Sequence, residues 1–427
     1  MKKTIVYDST RTFVAPALTS TPRGIDRVDF LLARHFSRDE RFDFMGVLPT
    51  PWGMRIFDAD RVRRGLERLE ELWSETTDAT NNAAYENVVT ALAGGAEKEQ
   101  ATGVYSLGFL RRGRRMASLL SATGFSFGRS AVKSVPTNSV YLSVGHYSLA
   151  VPLFMAWLEK RPDVKPVLML HDVIPLENPE FVSPSGVTAH AVMVKSVARH
   201  AAGLIVTTAH ARETILSALA DVGRTEINTL SVALPLAESF DSAARSEPRL
   251  QNVRYFVACG VIDPRKNHLL LLNVWRQLCA SKEKAPHLVV IGSVGARGGA
   301  ILDQMLRCEA TRGRIHHVAG LSTAGMKSLI AASLGLLAPS FAEGYGLPIA
   351  EALHLGVPVV ASDIPAHREI AGHAAMLLDP TDGPAWRNAI DILGARRGQP
   401  ASVRSASDAQ WERIAFFNAI RAFVEAI

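Results

Sequence analysis

"SFAEGYGLPIAEALHLGVPVVAS", residues 340–362, sets two carboxylates, Glu343 and Glu351, eight positions apart around two glycines and a proline. A plain connection needs neither acid. The segment lies between two short apolar runs, "GLLAPS" (335–340) and "PVVAS" (358–362), and its middle has helical spacing, with Ile349 and Leu353 turned inward. Pro348 suits the start of a helix and Gly356 its end. Strand, loop, helix and strand form the unit of an open parallel sheet, where ligands bind beyond the carboxyl ends of the strands. Gly344 and Gly346 let the backbone approach a ligand, and the helix amides can hold an anion such as a diphosphate. On spacing alone two readings stay open: Glu351 caps its helix beside a solvated Glu343, or both accept hydroxyls from one ligand.

The same rhythm runs through the chain. Apolar runs at 4–9, 42–49, 139–145, 165–172, 203–208 and 227–234 precede a polar stretch, and runs at 254–260, 287–293, 314–320, 335–340, 358–362 and 374–379 follow it. Helical patterns separate them, which predicts an α/β fold of two doubly wound, Rossmann-like domains. We place the first domain at 1–236, the linker at 237–252 ("AESFDSAARSEPRLQN") and the second domain at 253–405. An insertion near 58–135 interrupts the first domain. The tail, 406–427, reads as a packed helix, with Trp411, Ala415, Phe416, Ile420 and Phe423 near helical spacing.

The chain has 427 residues, 48% of them hydrophobic and 21% charged, enough to bury two cores. Its net charge of +6 divides evenly, 27 Lys/Arg against 24 Asp/Glu up to residue 235 and 20 against 17 after it, so there is no basic tail. The asymmetry is local: between Glu99 and Glu159 there is no acid, while Arg111, Arg112, Arg114, Arg115, Arg129 and Lys133 are basic. Arginines flanked by Phe109, Leu110, Met116, Leu119 and Leu120 suit either a solvated helix face or an anionic membrane surface. No motif supports nucleic acid as a partner. Cys259, Cys279 and Cys308 lack the spacing of a disulfide framework or a zinc site. No signal-peptide core follows the N-terminus, so we expect a cytoplasmic protein. Residues 134–158 carry no formal charge, but His146, Pro152 and three serines argue for strand, loop and helix rather than a membrane span.

Other strand ends carry chemistry. "ACGVIDPRKN" puts Arg265 and Lys266 just past a strand, either as a solvated turn or as two cations placed to neutralise a departing diphosphate. "MLHDVIP" puts His171 and Asp172 at another, where the histidine is either a satisfied core group or a ligand-facing one. His146 in "VGHYS" ends a third. Asp58-Ala59-Asp60 has the spacing of a manganese-binding pair, but Asp60 precedes a charged helix and reads as its cap. We expect no metal and no cofactor.

The stretch "FAEGYGLPIAEALHLGVPVVASDIPAHREI" resembles the signature of glycosyltransferase family 4, retaining enzymes of GT-B fold, through Glu343, Glu351, Asp363, Pro365 and Glu369. The resemblance implies that Glu343 lies beside the donor sugar and Glu351 binds the nucleotide ribose. It implies that the amides around Gly344, Tyr345, Gly346 and Leu347 touch sugar and phosphate. "DPRKN" resembles the family's diphosphate loop, and "AGLSTAG" its nucleobase strand end at Gly320, Leu321 and Ser322. His171 and Asp172 match a His-Asp pair that faces the donor sugar. Gly24 in "TSTPRGIDRVDF" matches the loop nearing the diphosphate, although Asp26 stands where glycine is usual, and Thr208 stands where serine is common.

The resemblance covers most of the second domain and patches of the first. It implies a retaining transferase that moves a hexose, mannose or glucose, from a GDP- or UDP-linked donor to a saccharide or polyprenyl-linked saccharide. Such an enzyme works in the cytoplasm or on the inner face of the cell membrane. Two rivals remain open: a sugar-nucleotide epimerase, which converts donor without acceptor, and a non-catalytic sugar-nucleotide-binding subunit. A dinucleotide dehydrogenase is disfavoured because no Gly-rich fingerprint follows the first strand.

Overall fold

The computed structural model describes residues 2–18, 22, 24–74, 83–95, 109–122, 127–281, 284–395 and 406–427. Two sheets organise them. The first contains β1 (Lys3–Asp8), β2 (Phe42–Thr50), β3 (Gly53–Asp58), β4 (Arg129–Ser130), β5 (Val140–Ser143), β6 (Lys165–Met169), β7 (Gly203–Val206) and β8 (Asn228–Ser231), in the spatial order β4-β3-β2-β1-β5-β6-β7-β8. The second contains β9 (Tyr255–Cys259), β10 (His287–Ile291), β11 (Ile315–Val318), β12 (Leu336–Ala338), β13 (Val359–Ser362) and β14 (Met376–Leu378), in the order β11-β10-β9-β12-β13-β14. All ladders are parallel except those joining β3 to β2 and β4. Helices cover both faces of each sheet, so central strands such as β5 and β7 are buried throughout and read as continuous apolar runs.

In the first sheet the chain leaves β1 for β2 on one side and returns to β5 on the other; in the second it leaves β9 for β10 and returns to β12. These are the switch points at which an open α/β sheet forms a crevice. Sequence periodicity does not foretell β3, whose six residues return from a tight turn with Gly53 at φ +97°.

Two helices pack on the domain opposite to the one their place in the chain suggests. The Ala83–Leu92 helix, inside the expected insertion, buries Tyr85, Val88, Val89 and Leu92 against Val289, Ile291, Val318 and Leu321 of the second sheet's core. The Ala406–Ala426 helix returns to the first sheet, where Phe416, Ile420 and Val424 join Ile5 and Tyr7. Lys3 Nζ donates to the carbonyls of Val424 and Glu425 at 3.0 and 2.9 Å. The buried face of this tail differs from the one expected: Trp411 is 69% exposed, because Arg413 instead enters the interface and pairs with Asp241. The Ala59–Ser74 helix buries Val62, Leu66, Leu69 and Trp73 on the first sheet.

Candidate functional site

Arg265 and Lys266 follow β9, and Glu343 follows β12, the two strands that flank the second switch point. Asp263 accepts the Lys266 N–H at 3.2 Å and caps a short turn over Pro264–Lys266. The turn directs both cations to one place. Arg265 Nη1 donates to Glu343 Oε2 at 2.7 Å, Lys266 Nζ pairs with Oε1, and Ser340 Oγ donates to Oε1 at 2.7 Å. Burial alone would push Glu343 up, but Arg265 and Lys266 together outweigh it and hold the carboxyl well below the usual range. Burial likewise acts to lower Arg265, and Glu343 more than offsets it, so the guanidinium stays charged.

Gly344 carries the chain against the opposite domain. A Cβ there would lie 2.8 Å from Asp172 Oδ2 and 3.0 Å from the His171 carbonyl, so no larger residue fits. Thr208 Oγ1 donates to the Gly344 carbonyl at 3.2 Å, and Tyr345 Oη to the Leu234 carbonyl at 3.0 Å. Gly346, at φ +108°, then turns the chain into the Leu347–His354 helix, a conformation that favours glycine. Among the described residues the main-chain N–H groups of Gly344, Tyr345 and Gly346 meet no acceptor. They are donors available to an anion.

Glu351 occupies the second turn of that helix, and its surroundings differ from those of Glu343. It is 2% exposed and pairs with Arg27 of the first domain, Nη1 to Oε1 at 2.8 Å. Its Oε2 meets no donor. Burial pushes this carboxyl up, and Arg27 only partly opposes the shift. Gly24 lies one turn before Arg27, and a Cβ there would come 3.0 Å from Leu347 Cδ1. Gly24, Arg27, Leu347, Glu351, Thr323 and Ala324 line one cavity of about 330 Å³ between the domains. Leu321 is buried two residues before Thr323, whose helix is capped by Ser322.

Across the crevice, His171 lies two residues past β6 and is 5% exposed. Its Nε2 lies 3.2 Å from the Val144 carbonyl, which can only accept, so Nε2 carries the proton and Nδ1 keeps a lone pair. Burial pushes this imidazole down to about 4, leaving it neutral near pH 7. His146, at φ +66°, accepts the His171 N–H on Nε2 at 3.1 Å and packs ring to ring with it at 4.7 Å. His146 thus supports His171.

The structure therefore brings Glu343, Arg265, Lys266 and Gly344 together with His171 and Asp172, and sets Glu351, Gly24 and Leu347 around the adjoining cavity. Sequence reading missed Arg27, whose signal is its position three residues after Gly24 on one helix face. It also missed the clasp in which Ala209 N–H donates to both oxygens of Glu369 at 2.9 Å. Asp58 and Asp60 pair with Arg129 and Arg63, and no group of three or more His, Cys, Asp or Glu is arranged to hold a metal among the described residues. The side chains of Arg111 and Arg112, part of the basic cluster, lie outside the described residues; Arg114 is exposed. No described helix is long and apolar enough to cross a membrane.

Residues 253–395 match the family model described as glycosyl transferases group 1. O-antigen chain mannosyltransferase B of Escherichia coli is 30% identical over 217 residues, 47% of this chain and 54% of that protein. Serotype-specific mannosyltransferase WbdA of Escherichia coli is 24% identical over 216 residues, 48% of this chain and 26% of that one. The chain thus spans about half the length of the first relative and a quarter of the second. Anabaena HepE, solved in complex with UDP-glucose, aligns over 98% of this chain and 96% of its own with a TM-score of 0.58 at 16% identity. Sucrose-phosphate synthase from Thermosynechococcus elongatus aligns over 98% and 97%, with a TM-score of 0.57 at 15% identity. The fold is GT-B.

Proposed function

We propose that this chain of GT-B glycosyltransferase fold is a retaining hexosyltransferase of family 4 type, moving mannose from a nucleotide diphosphate sugar to a saccharide or lipid-linked saccharide. One observation carries the reading: a carboxylate held ionised between two cations at the mouth of a switch point, directly opposite a neutral histidine and an aspartate. Mannose is favoured over glucose by the names of the curated relatives, and GDP is the matching base carrier.

In this reading the donor diphosphate lies on Arg265, Lys266 and the free amides of Gly344 to Gly346. As the glycosidic bond to phosphate breaks, negative charge grows on the leaving oxygen, and these fixed donors stabilise it without reorganising. The two side-chain cations supply the charge a metal would otherwise bring, so the reaction is metal-independent. Glu343 positions the sugar and balances one cation. His171 Nδ1 accepts a sugar hydroxyl from the opposite wall, and Asp172 closes that wall behind Gly344. The acceptor hydroxyl attacks the anomeric carbon from the face the phosphate leaves and passes its proton to the departing phosphate oxygen. No side chain acts as a covalent nucleophile.

The acceptor approaches over the strand ends of the first sheet. The first domain also carries an exposed aromatic pair, Trp52 and Phe127, 64% and 71% exposed with rings 5.5 Å apart. Such a pair suits contact with a lipid-linked saccharide at a membrane surface.

Two measurements test the proposal. A panel of nucleotide sugars is screened for protection against thermal unfolding, where GDP-mannose is expected to raise the midpoint most. The anomeric configuration of the transferred sugar is then read by NMR, with retention expected and insensitivity to EDTA. An inverted product, or protection by no nucleotide sugar, overturns the reading.

A further inference from the structure

The Arg27–Glu351 contact is a buried ion pair between domains, and it is only half satisfied. Glu351 Oε2 meets no donor and Arg27 Nε meets no acceptor, although both atoms are buried. Buried polar atoms are normally paired, so an orphan donor and an orphan acceptor side by side mark a place where another polar group fits. Both residues line the 330 Å³ cavity that also holds Gly24, Leu347 and Thr323. A guanidinium offers a carboxylate N–H donors much as a vicinal diol offers O–H donors.

We propose that Arg27 exchanges partners when the donor enters: in the empty protein it stands on Glu351 in place of the ribose hydroxyls of a nucleoside diphosphate, and in the complex it turns to the diphosphate. This inference rests on the donor-site reading above. Charge balance drives it. When a neutral ribose diol takes the Glu351 carboxylate, Arg27 loses its counter-ion while its side chain is only 18% exposed and its Nε is buried, and a charge sheltered in this way without a partner is unfavourable. A nucleoside brings nothing to replace it. A nucleoside diphosphate brings its own anion, and Gly24, one turn earlier on the same helix face, is where the backbone lets that anion approach. Arg27 is thus a specificity-determining residue: it admits ligands carrying both a ribose and a diphosphate and selects against those carrying the ribose alone.

The test titrates GDP, guanosine, UDP and uridine by calorimetry into the wild-type chain, Arg27→Gln and Arg27→Lys. For the base that binds, Arg27→Gln is expected to weaken the diphosphate about 10- to 100-fold, the range of a charge-assisted contact. The same variant is expected to bind the bare nucleoside as well as, or better than, the wild type. Arg27→Lys, which keeps the charge without the planar fork, is expected to lie between, and it carries the test alone should Arg27→Gln fail to fold. Equal weakening of nucleoside and diphosphate would show that Arg27 merely props Glu351, and unchanged affinities would show no role; either overturns the exchange while leaving the donor site intact. If the wild type binds none of the four ligands, the donor-site reading fails and the exchange fails with it.

Discussion

Glu343 and Glu351 share one loop and one helix, yet the protein treats them in opposite ways. Both are buried, and burial pushes both carboxyls up. The difference is the supply of cations. Glu343 receives Arg265, Lys266 and the Ser340 hydroxyl, all from its own domain, and stays ionised whatever the opposite domain does. Glu351 receives one guanidinium, borrowed from the other domain, and keeps one oxygen unpartnered. The first acid is a fixed part of a rigid site; the second depends on domain closure and on what fills the cavity beside it.

The largest expected effect separates the two at the level of turnover. Glu343→Ala should lower sugar transfer about 10³-fold, the scale of removing a preorganised electrostatic group, and should leave two cations facing each other without their common anion. Transfer measured at saturating donor checks this, and turnover within a few fold of the wild type would end the assignment of Glu343. Glu351→Gln acts on binding instead. The nucleotide affinity should fall about 10- to 100-fold with a smaller change in the chemical step, since an amide accepts one hydroxyl less well than a carboxylate accepts two. A fall in kcat equal to that of Glu343→Ala would erase the distinction.

Next in size are opposite responses to pH. Glu343 is held below its ordinary value, so its stabilisation is complete above the unfolded value of about 4.3 and is lost as pH falls toward the folded one. Glu351 is raised, so its contribution is complete below about 4.3 and is lost as pH rises through its elevated value. In urea denaturation, the deficit of Glu343→Gln against wild type should therefore shrink by about 0.6 kcal/mol between pH 7 and pH 4, and by about 1.8 kcal/mol by pH 3. Glu351→Gln should move the other way, improving against wild type over the same interval as pH rises. Parallel curves for the two variants would mean that their environments are alike.

The sequence shows one half of this contrast and hides the other. Arg265, Lys266 and Glu343 are legible because each follows an apolar run within a few residues, and local turn chemistry at Asp263 and Gly346 aims them. The parallel strands are legible because covered sheets need continuous apolar runs. Arg27 is not, because its role depends on a partner more than three hundred positions away, and on an amphipathic helix it looks like any solvated cation. β3 is not, because a six-residue return strand beside a tight turn alternates too briefly to be told from loop. The Ala83–Leu92 helix has an apolar face that is plain in sequence, but nothing local says which of two cores it covers.

That helix and the C-terminal one form a second, smaller contrast. The tail helix is fastened to the first domain by buried Phe416, Ile420 and Val424, by Lys3 and by the Arg413–Asp241 pair, which is largely sheltered. The Ala83–Leu92 helix is fastened to the second domain by apolar burial, and its Glu86–Arg249 ion pair, at 2.9 Å, leaves both partners 42% exposed. Exposed pairs contribute little because water screens them and both side chains lose freedom. Glu86→Ala should therefore change stability by less than about 1 kcal/mol. Val89→Ala, which opens a cavity where the side chain is fully buried, should cost about 1–3 kcal/mol. If Glu86→Ala proves the costlier of the two in chemical denaturation, the helix is held to the second domain by charge rather than by its apolar face.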